Sequence, residues 1–175
     1  MPKSDDIKAL IEYSKGKQME VPMLLGCYGM RRSEICALTP ADIEGNVIHI
    51  NKAMVKDKDN NWVIKTTKTT SSTRDIIVPD EVIETINRVG LYKGTPNYFD
   101  TWLKRAEKSL GIESFSFHKL RHYFASQAHA SGIPDVDVMR FGGWETDRVM
   151  KGVYRHSLEK DSTNVSNAIT NSILK

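Results

Sequence analysis

Arginine, lysine, histidine and tyrosine recur in this sequence inside short, distinctive contexts. Arg31 follows a glycine in Gly29-Met30-Arg31-Arg32-Ser33-Glu34, at the start of a helical stretch. Lys68 opens the polar turn Lys68-Thr69-Thr70-Ser71-Ser72-Thr73-Arg74. His118 and Arg121 fall three apart in His118-Lys119-Leu120-Arg121-His122, on one face of a helix. Gly142-Gly143-Trp144 stands shortly before Val153-Tyr154-Arg155-His156. Two other chemistries are set aside. His118 and His122 have the i, i+4 spacing of a zinc pair, but cations lie between them and the glutamate of such motifs is missing. Ser116-Phe117-His118-Lys119 fits S-x-x-K, yet the companion Ser-Asp-Asn and Lys-Thr-Gly motifs do not occur. There is no G-x-x-x-x-G-K-[ST] phosphate loop. No metal or other cofactor is expected.

The charge distribution points to a polyanionic partner. The net charge is only +3 and the sequence pI about 8.8. The cations cluster, however. Lys52, Lys56, Lys58, Lys65, Lys68 and Arg74 face three aspartates between Asn51 and Asp75, and further groups are His118–His122 and Arg148, Lys151, Arg155, His156. With 175 residues, 39% hydrophobic and 27% charged, and a mean hydropathy of −0.42, the chain is sized for one folded domain and is no membrane protein. Its polar, acidic start is not a secretory signal. Cys27 and Cys36, without a C-x-x-C, read as buried thiols of a cytoplasmic protein.

The elements that must position these groups are mostly helical. Ser4–Lys17 reads as a helix capped by Ser4, Val21–Tyr28 as a second with Pro22 in its first turn, and Arg32–Leu38 as a third stopped by Thr39-Pro40. Val47–Ile50, Trp62–Lys65 and Asp75–Val78 read as three short strands of one small antiparallel sheet. Helices follow at Glu81–Val89 (capped by Asp80), Asn97–Leu110, His118–Ala130, Pro134–Phe141 and Asp147–Tyr154. A last helix is expected over Asp161–Leu174, with Val165, Ile169 and Ile173 on one stripe. The expected fold class is therefore mainly α with a small three-stranded antiparallel β-sheet.

These motifs together resemble the catalytic domain of tyrosine recombinases, the phage and conjugative-transposon integrase family. Gly29–Glu34 resembles the family's G-[LM]-R-x-S-E, and Leu38–Ile43 resembles its L-x-W-x-D-I, with Pro40 in place of the tryptophan. His118–Ser126 is similar to H-x-L-R-H-x-F-A-S. The resemblance runs in family order from about Val21 to His156. It implies a site-specific recombinase that cleaves and rejoins double-stranded DNA through a 3′-phosphotyrosine, without metal or nucleotide, to integrate or excise a mobile element.

By the same resemblance, Tyr154 is the nucleophile, and Arg31 and Arg121 are the guanidinium forks that grip the non-bridging phosphate oxygens. Lys68 is the general acid for the leaving 5′ oxygen, with Lys65 as its rival two positions earlier. His118 donates to the phosphate or shuttles a proton. Trp144 stands where a histidine is more usual; its indole N–H can donate one bond while the ring packs the pocket. Glu34 buttresses Arg31. The resemblance also implies that 1–175 is a single catalytic domain lacking the core-binding and arm-binding domains of full-length members. It further implies that 161–175 docks on a neighbouring protomer, and that the full protein works as a homotetramer at synapsis, with no membrane or small-molecule partner. Two other readings remain: a catalytically silent DNA-binding protein on the same fold, and a type IB topoisomerase-like enzyme.

Overall fold

The computed structural model describes residues 2–67, 72–146, 148 and 152. The expected helices at Asp147–Tyr154 and Asp161–Leu174 thus fall largely or wholly outside the described residues. The rest is helical with small antiparallel sheets, as the sequence leads one to expect. Helices α1 (Ser4–Ser14), α2 (Glu20–Cys27) and the one-turn α3 (Arg32–Ile35) come first. The β region follows, and then α4 (Asp80–Val89), α5 (Asn97–Leu110), α6 (His118–Ala130) and α7 (Asp135–Gly142).

The helices assemble by burying single stripes. On α5, Phe99, Trp102, Leu103 and Ala106 recur at helical spacing and are buried. Phe99 sits edge-on against both Tyr92 and Phe117, with ring centroids 4.8 and 4.7 Å away. Phe117 and Leu120 carry this core under α2, where Met23 and Leu25 are fully buried. Because Phe117 and Leu120 are locked in this way, the start of α6, with His118 and Arg121, is fixed in place.

Two expected caps are filled differently. The cap position of α1 is Lys3, and Ser4 is already helical; its hydroxyl accepts a bond from Tyr123 instead, at 3.0 Å. Pro79, extended at φ −61°, holds the cap position of α4. Asp80 there accepts from the Asn46 side chain at 2.5 Å. The third helix is also shorter than the expected Arg32–Leu38, ending at Ile35.

The expected single sheet is two. Strands β1 (Ile43–Glu44), β2 (Val47–Ile50) and β5 (Arg74–Ile77) form one antiparallel sheet in the order β1-β2-β5, with Ile48 opposite Ile76. Strands β3 (Lys52–Lys56) and β4 (Trp62–Thr66) form a separate hairpin with Val55 opposite Val63. The run Ala53-Met54-Val55 is flanked by lysines, which hid β3 and left Trp62–Lys65 without its true partner. The hairpin turns through Asn60 in the left-handed region (φ 67°), with the Asp57 carboxylate accepting the backbone N–H of Asp59 and Asn61.

Cys36 is buried and Cys27 half-buried, and they form no disulfide. Burial pushes both thiols up to about 12, so neither is a thiolate near neutral pH. Among the described residues no helix is long and apolar enough to cross a membrane.

Candidate active site

The structure brings Arg31, Glu34, Arg121 and Trp144 to one place, around the C-terminal end of α7. Gly143 takes the left-handed conformation there (φ 69°) and closes the helix. A β-carbon on Gly142 would overlap the Trp144 ring. Gly-Gly before Trp144 is thus required by the fold: one residue for the turn, the other for the ring.

The turn's carbonyls point at arginines. Arg74 donates through Nε to the Phe141 carbonyl at 2.7 Å. Arg121 donates through Nη1 to the carbonyls of Gly142 and Gly29, the latter at 2.5 Å. Arg31 donates through Nη2 to the Gly143 carbonyl at 2.8 Å. Three successive carbonyls at a helix C-terminus, the negative end of its dipole, therefore each hold a different guanidinium. The Trp144 ring lies 3.8 Å from the Arg121 guanidinium and covers one face of it. The sequence expectation for Trp144 is an indole N–H donor whose ring packs the pocket; the structure shows the ring stacked on a cation.

Glu34 is the counter-charge, and it is only 2% exposed. Its Oε1 accepts from Arg31 Nη1 at 2.7 Å and Arg74 Nη1 at 2.9 Å. Its Oε2 accepts from the Arg31 backbone N–H at 2.8 Å and Arg74 Nη2 at 3.0 Å. Burial alone would raise this carboxyl's pKa, but the bonds and charge of Arg74 and the charge of Arg31 outweigh it and hold it lowered. Arg121 is 2% exposed. Burial, then the charge of Arg31, pull its pKa down to about 9, with Glu34 opposing; it stays cationic at neutral pH. Among these described groups, three guanidiniums against one carboxylate leave two positive charges.

Arg74 is the member that sequence reasoning missed, having been read as one of a basic group on a turn. A signal was present. In Arg74-Asp75-Ile76-Ile77 the strand period places Arg74 on the same face as Ile76, and the observed pattern buries both. An arginine in register with a core isoleucine needs a buried partner. Lys52, of the same presumed basic group, is likewise spent inside, on Asp42 at 2.5 and 2.6 Å.

His118 is set apart from the carbonyl turn, on a cavity of about 290 Å³ that also touches Arg31, Arg32, Ser33 and Asp100. Asp100 on α5 accepts from the Phe117 N–H at 2.8 Å and from Arg32, tying α5 to the start of α6. Burial first, then the charges of Arg121, Arg31 and Arg32, lower the His118 pKa, so its ring is neutral near pH 7. His122 packs edge-on to it at 4.8 Å; burial and the neighbouring cations bring its pKa down to about 4. Among the described residues no group of His, Cys, Asp and Glu could hold a metal. A larger hollow of about 420 Å³, at Lys3, Asp6 and Lys119, contains none of the groups singled out. Lys68 and Tyr154 lie outside the described residues.

The family model described as phage integrase family matches residues 3–161. The chain belongs to the phage integrase family. The integrase of Salmonella phage P22 is 38% identical over 52 residues, which is 30% of this chain and 13% of that protein. The Tn1549 transposon integrase in complex with transposon right-end DNA superposes with a TM-score of 0.79 at 18% identity, over 100% of this chain and 66% of that one. XerA recombinase superposes with a TM-score of 0.71 at 17% identity, over 93% of this chain and 63% of that one. The fold is thus that of the tyrosine recombinase catalytic domain, and the chain spans no more than 66% of these relatives.

Proposed function

We propose that this chain is the catalytic part of a site-specific DNA recombinase of the integrase type. It would cleave and rejoin double-stranded DNA through a 3′-phosphotyrosine on Tyr154, to integrate or excise a mobile element. The observation that carries the reading is the arginine cluster: three guanidiniums, one carboxylate and a neutral histidine within one family fold. A phosphodiester carries one negative charge, and its pentacoordinate transition state gathers a second. A fixed site with two surplus positive charges favours the second state over the first, and that difference is catalysis.

In this reading the Tyr154 oxygen forms a bond to phosphorus while the bond to the 5′ oxygen breaks. Lys68 gives that leaving oxygen its proton. Arg31 and Arg121 hold the two non-bridging oxygens. Arg31, with its side chain 34% exposed, is the more accessible of the two. Trp144 keeps the Arg121 guanidinium flat and in place. Neutral His118 donates to the phosphate or shuttles the phenol proton. The stored phosphotyrosine energy then drives rejoining, so no nucleotide is consumed. DNA-bound relatives such as the Tn1549 integrase support duplex DNA as the partner, and the lambda integrase, solved as a dimer bound to a core site, supports assembly on it. We assign the full protein a homotetrameric synapse in the cytoplasm, with residues 161–175 docking on a neighbouring protomer.

Covalent trapping tests the chemistry. The chain, extended to full length where it is longer, is incubated with supercoiled DNA bearing the sequences that flank its own gene, then denatured and digested. Mass spectrometry is expected to find a nucleotide on Tyr154, lost in Tyr154→Phe while DNA binding persists. DNA binding with no adduct on any tyrosine would overturn the enzyme reading and leave a DNA-binding protein on this fold. An adduct surviving Tyr154→Phe would move the nucleophile elsewhere.

A further inference from the structure

We infer that Arg74 is a positioning residue of the site: it holds Arg31 and Arg121 in register through Glu34 on one side and the α7 carbonyl turn on the other. The inference rests on the proposed recombinase reading for its kinetic consequence, but its geometry stands apart from that reading.

Arg74 uses its fork in two directions. Nη1 and Nη2 grip both oxygens of Glu34, at 2.9 and 3.0 Å, while Nε reaches the Phe141 carbonyl at 2.7 Å. Glu34 in turn fixes the Arg31 side chain at 2.7 Å and its backbone N–H at 2.8 Å. The carbonyls after Phe141, those of Gly142 and Gly143, receive Arg121 and Arg31. One guanidinium therefore ties together the carboxylate that orients one fork and the turn that orients both. The Arg74 side chain is only 4% exposed, and its bonds are all internal, so it is placed to act through other residues rather than on a phosphate.

Arg74 also meets the chain that carries Lys68. Its Nη1 donates to the Ser72 carbonyl at 3.3 Å, and the neighbouring Thr73 hydroxyl bonds that of Thr67 at 2.8 Å. The two ends of the 68–71 segment are thereby pinned to each other and, through Arg74, to the arginine cluster. Lysine at position 74 keeps the charge but has no fork, so it cannot hold two carboxylate oxygens and a carbonyl at once.

The test uses Arg74→Lys, with Glu34→Gln/Arg74→Gln as a second variant that removes the buried pair together; because Glu34 also holds Arg31 directly, Arg121 is the reporter in that variant. Two readouts are taken on the full chain. In the first, nitrogen-15 arginine spectra follow the guanidinium signals of Arg31 and Arg121. In Arg74→Lys both signals, and in the double variant that of Arg121, are expected to lose the slow rotation that fixed hydrogen bonds impose, while core amide signals, such as those of Phe99 and Ile48, stay in place. In the second, single-turnover adduct formation on flanking-sequence DNA is expected to slow about 100-fold, the scale of a misplacement near 1 Å, with DNA affinity changed less than about threefold. Unchanged guanidinium signals in the variants would overturn the inference, whatever the kinetics. A wild-type chain that forms no adduct would instead strike the recombinase reading, and the spectra alone would then decide the role of Arg74.

Discussion

The two small sheets lie next to each other in sequence and bury very different things. In the β1-β2-β5 sheet, Ile48, Ile50, Arg74 and Ile76 all face inward. In the β3–β4 hairpin no residue is fully buried, and Ile64 is 52% exposed. The chain passes from the second to the first through the segment that contains Lys68. Arg74 of the arginine cluster thus stands on a strand anchored in the core, whereas the strand that precedes the segment with Lys68, the proposed general acid, is not so anchored. The difference teaches where rigidity is needed. In the proposed reading a transition-state clamp works by being fixed beforehand, and the strand of Arg74 is tied to the core and to buried charge. A proton donor must meet a leaving group only once per step.

The sharpest way to break this comparison is at Glu34. Glu34→Gln leaves Arg74 buried without its counter-charge, whereas in the hairpin only Lys52, paired with Asp42, touches a buried charge. Removing one partner of a buried ion pair costs about 3–5 kcal/mol. Urea unfolding of Glu34→Gln against wild type is expected to show a loss of that size. A loss below about 1 kcal/mol would mean that water reaches the cluster and that the clamp is not fixed beforehand.

Titration separates the arginine cluster's helix from the anchored sheet by sign. His122, beside the arginine cluster on α6, has its pKa pulled down to about 4, against about 6.5 unfolded. Between those values the unfolded chain binds a proton that the folded chain refuses, so stability falls as pH drops from about 6.5 toward 4. After allowance for partial exposure the loss is on the order of 1 kcal/mol. His118 shifts in the same direction. His49, on the anchored sheet directly opposite Asp75, shifts the other way. The bond from its ring to the Asp75 carboxylate, 2.7 Å, raises its pKa, so its contribution is present in acid and is lost as pH rises past that raised value. Histidine signals followed by NMR from pH 3 to 8 are expected to give His122 a midpoint below, and His49 a midpoint above, that of a free imidazole. His122→Asn is expected to flatten the acid side of the stability profile.

Much of this was legible in the sequence because local physics and final packing agree there. Asn97–Leu110 and His118–Ala130 match the observed helices residue for residue, since the apolar stripe, the helix stop and the core contact all coincide. Arg31, Glu34, Arg121 and Trp144 lie together around the α7 carbonyl turn, and His118 lines a cavity beside Arg31. Legibility failed where an element owed its identity to a distant partner. Strand β3 is defined by pairing with β4, and its lysine flanks conceal that. Arg74 looks like a surface cation until Glu34, 40 positions away, is seen beneath it. The carbonyl turn at Phe141–Gly143 could not be read at all, because backbone acceptors carry no residue-type signal.

The smallest effect is also the cleanest comparison, because the same substitution is made in both sheets. Ile76 is fully buried opposite Ile48, and Ile64 is half-exposed opposite Met54. Replacing each with valine removes one methylene and keeps β-branching, so strand propensity and charge are held constant. In the close-packed sheet the lost methylene leaves a gap, which costs about 0.5–1.5 kcal/mol. In the hairpin, solvent already touches the same atoms, and the cost is expected to stay within about 0.5 kcal/mol. Arg74 shares its strand and its inward face with Ile76, so Ile76→Val should also loosen the guanidinium signals of Arg31 slightly, and Ile64→Val should leave them alone. Equal stability losses at the two positions would mean that the hairpin packs as tightly as the sheet, and the contrast between the core-anchored strand of Arg74 and the loosely packed hairpin would fall.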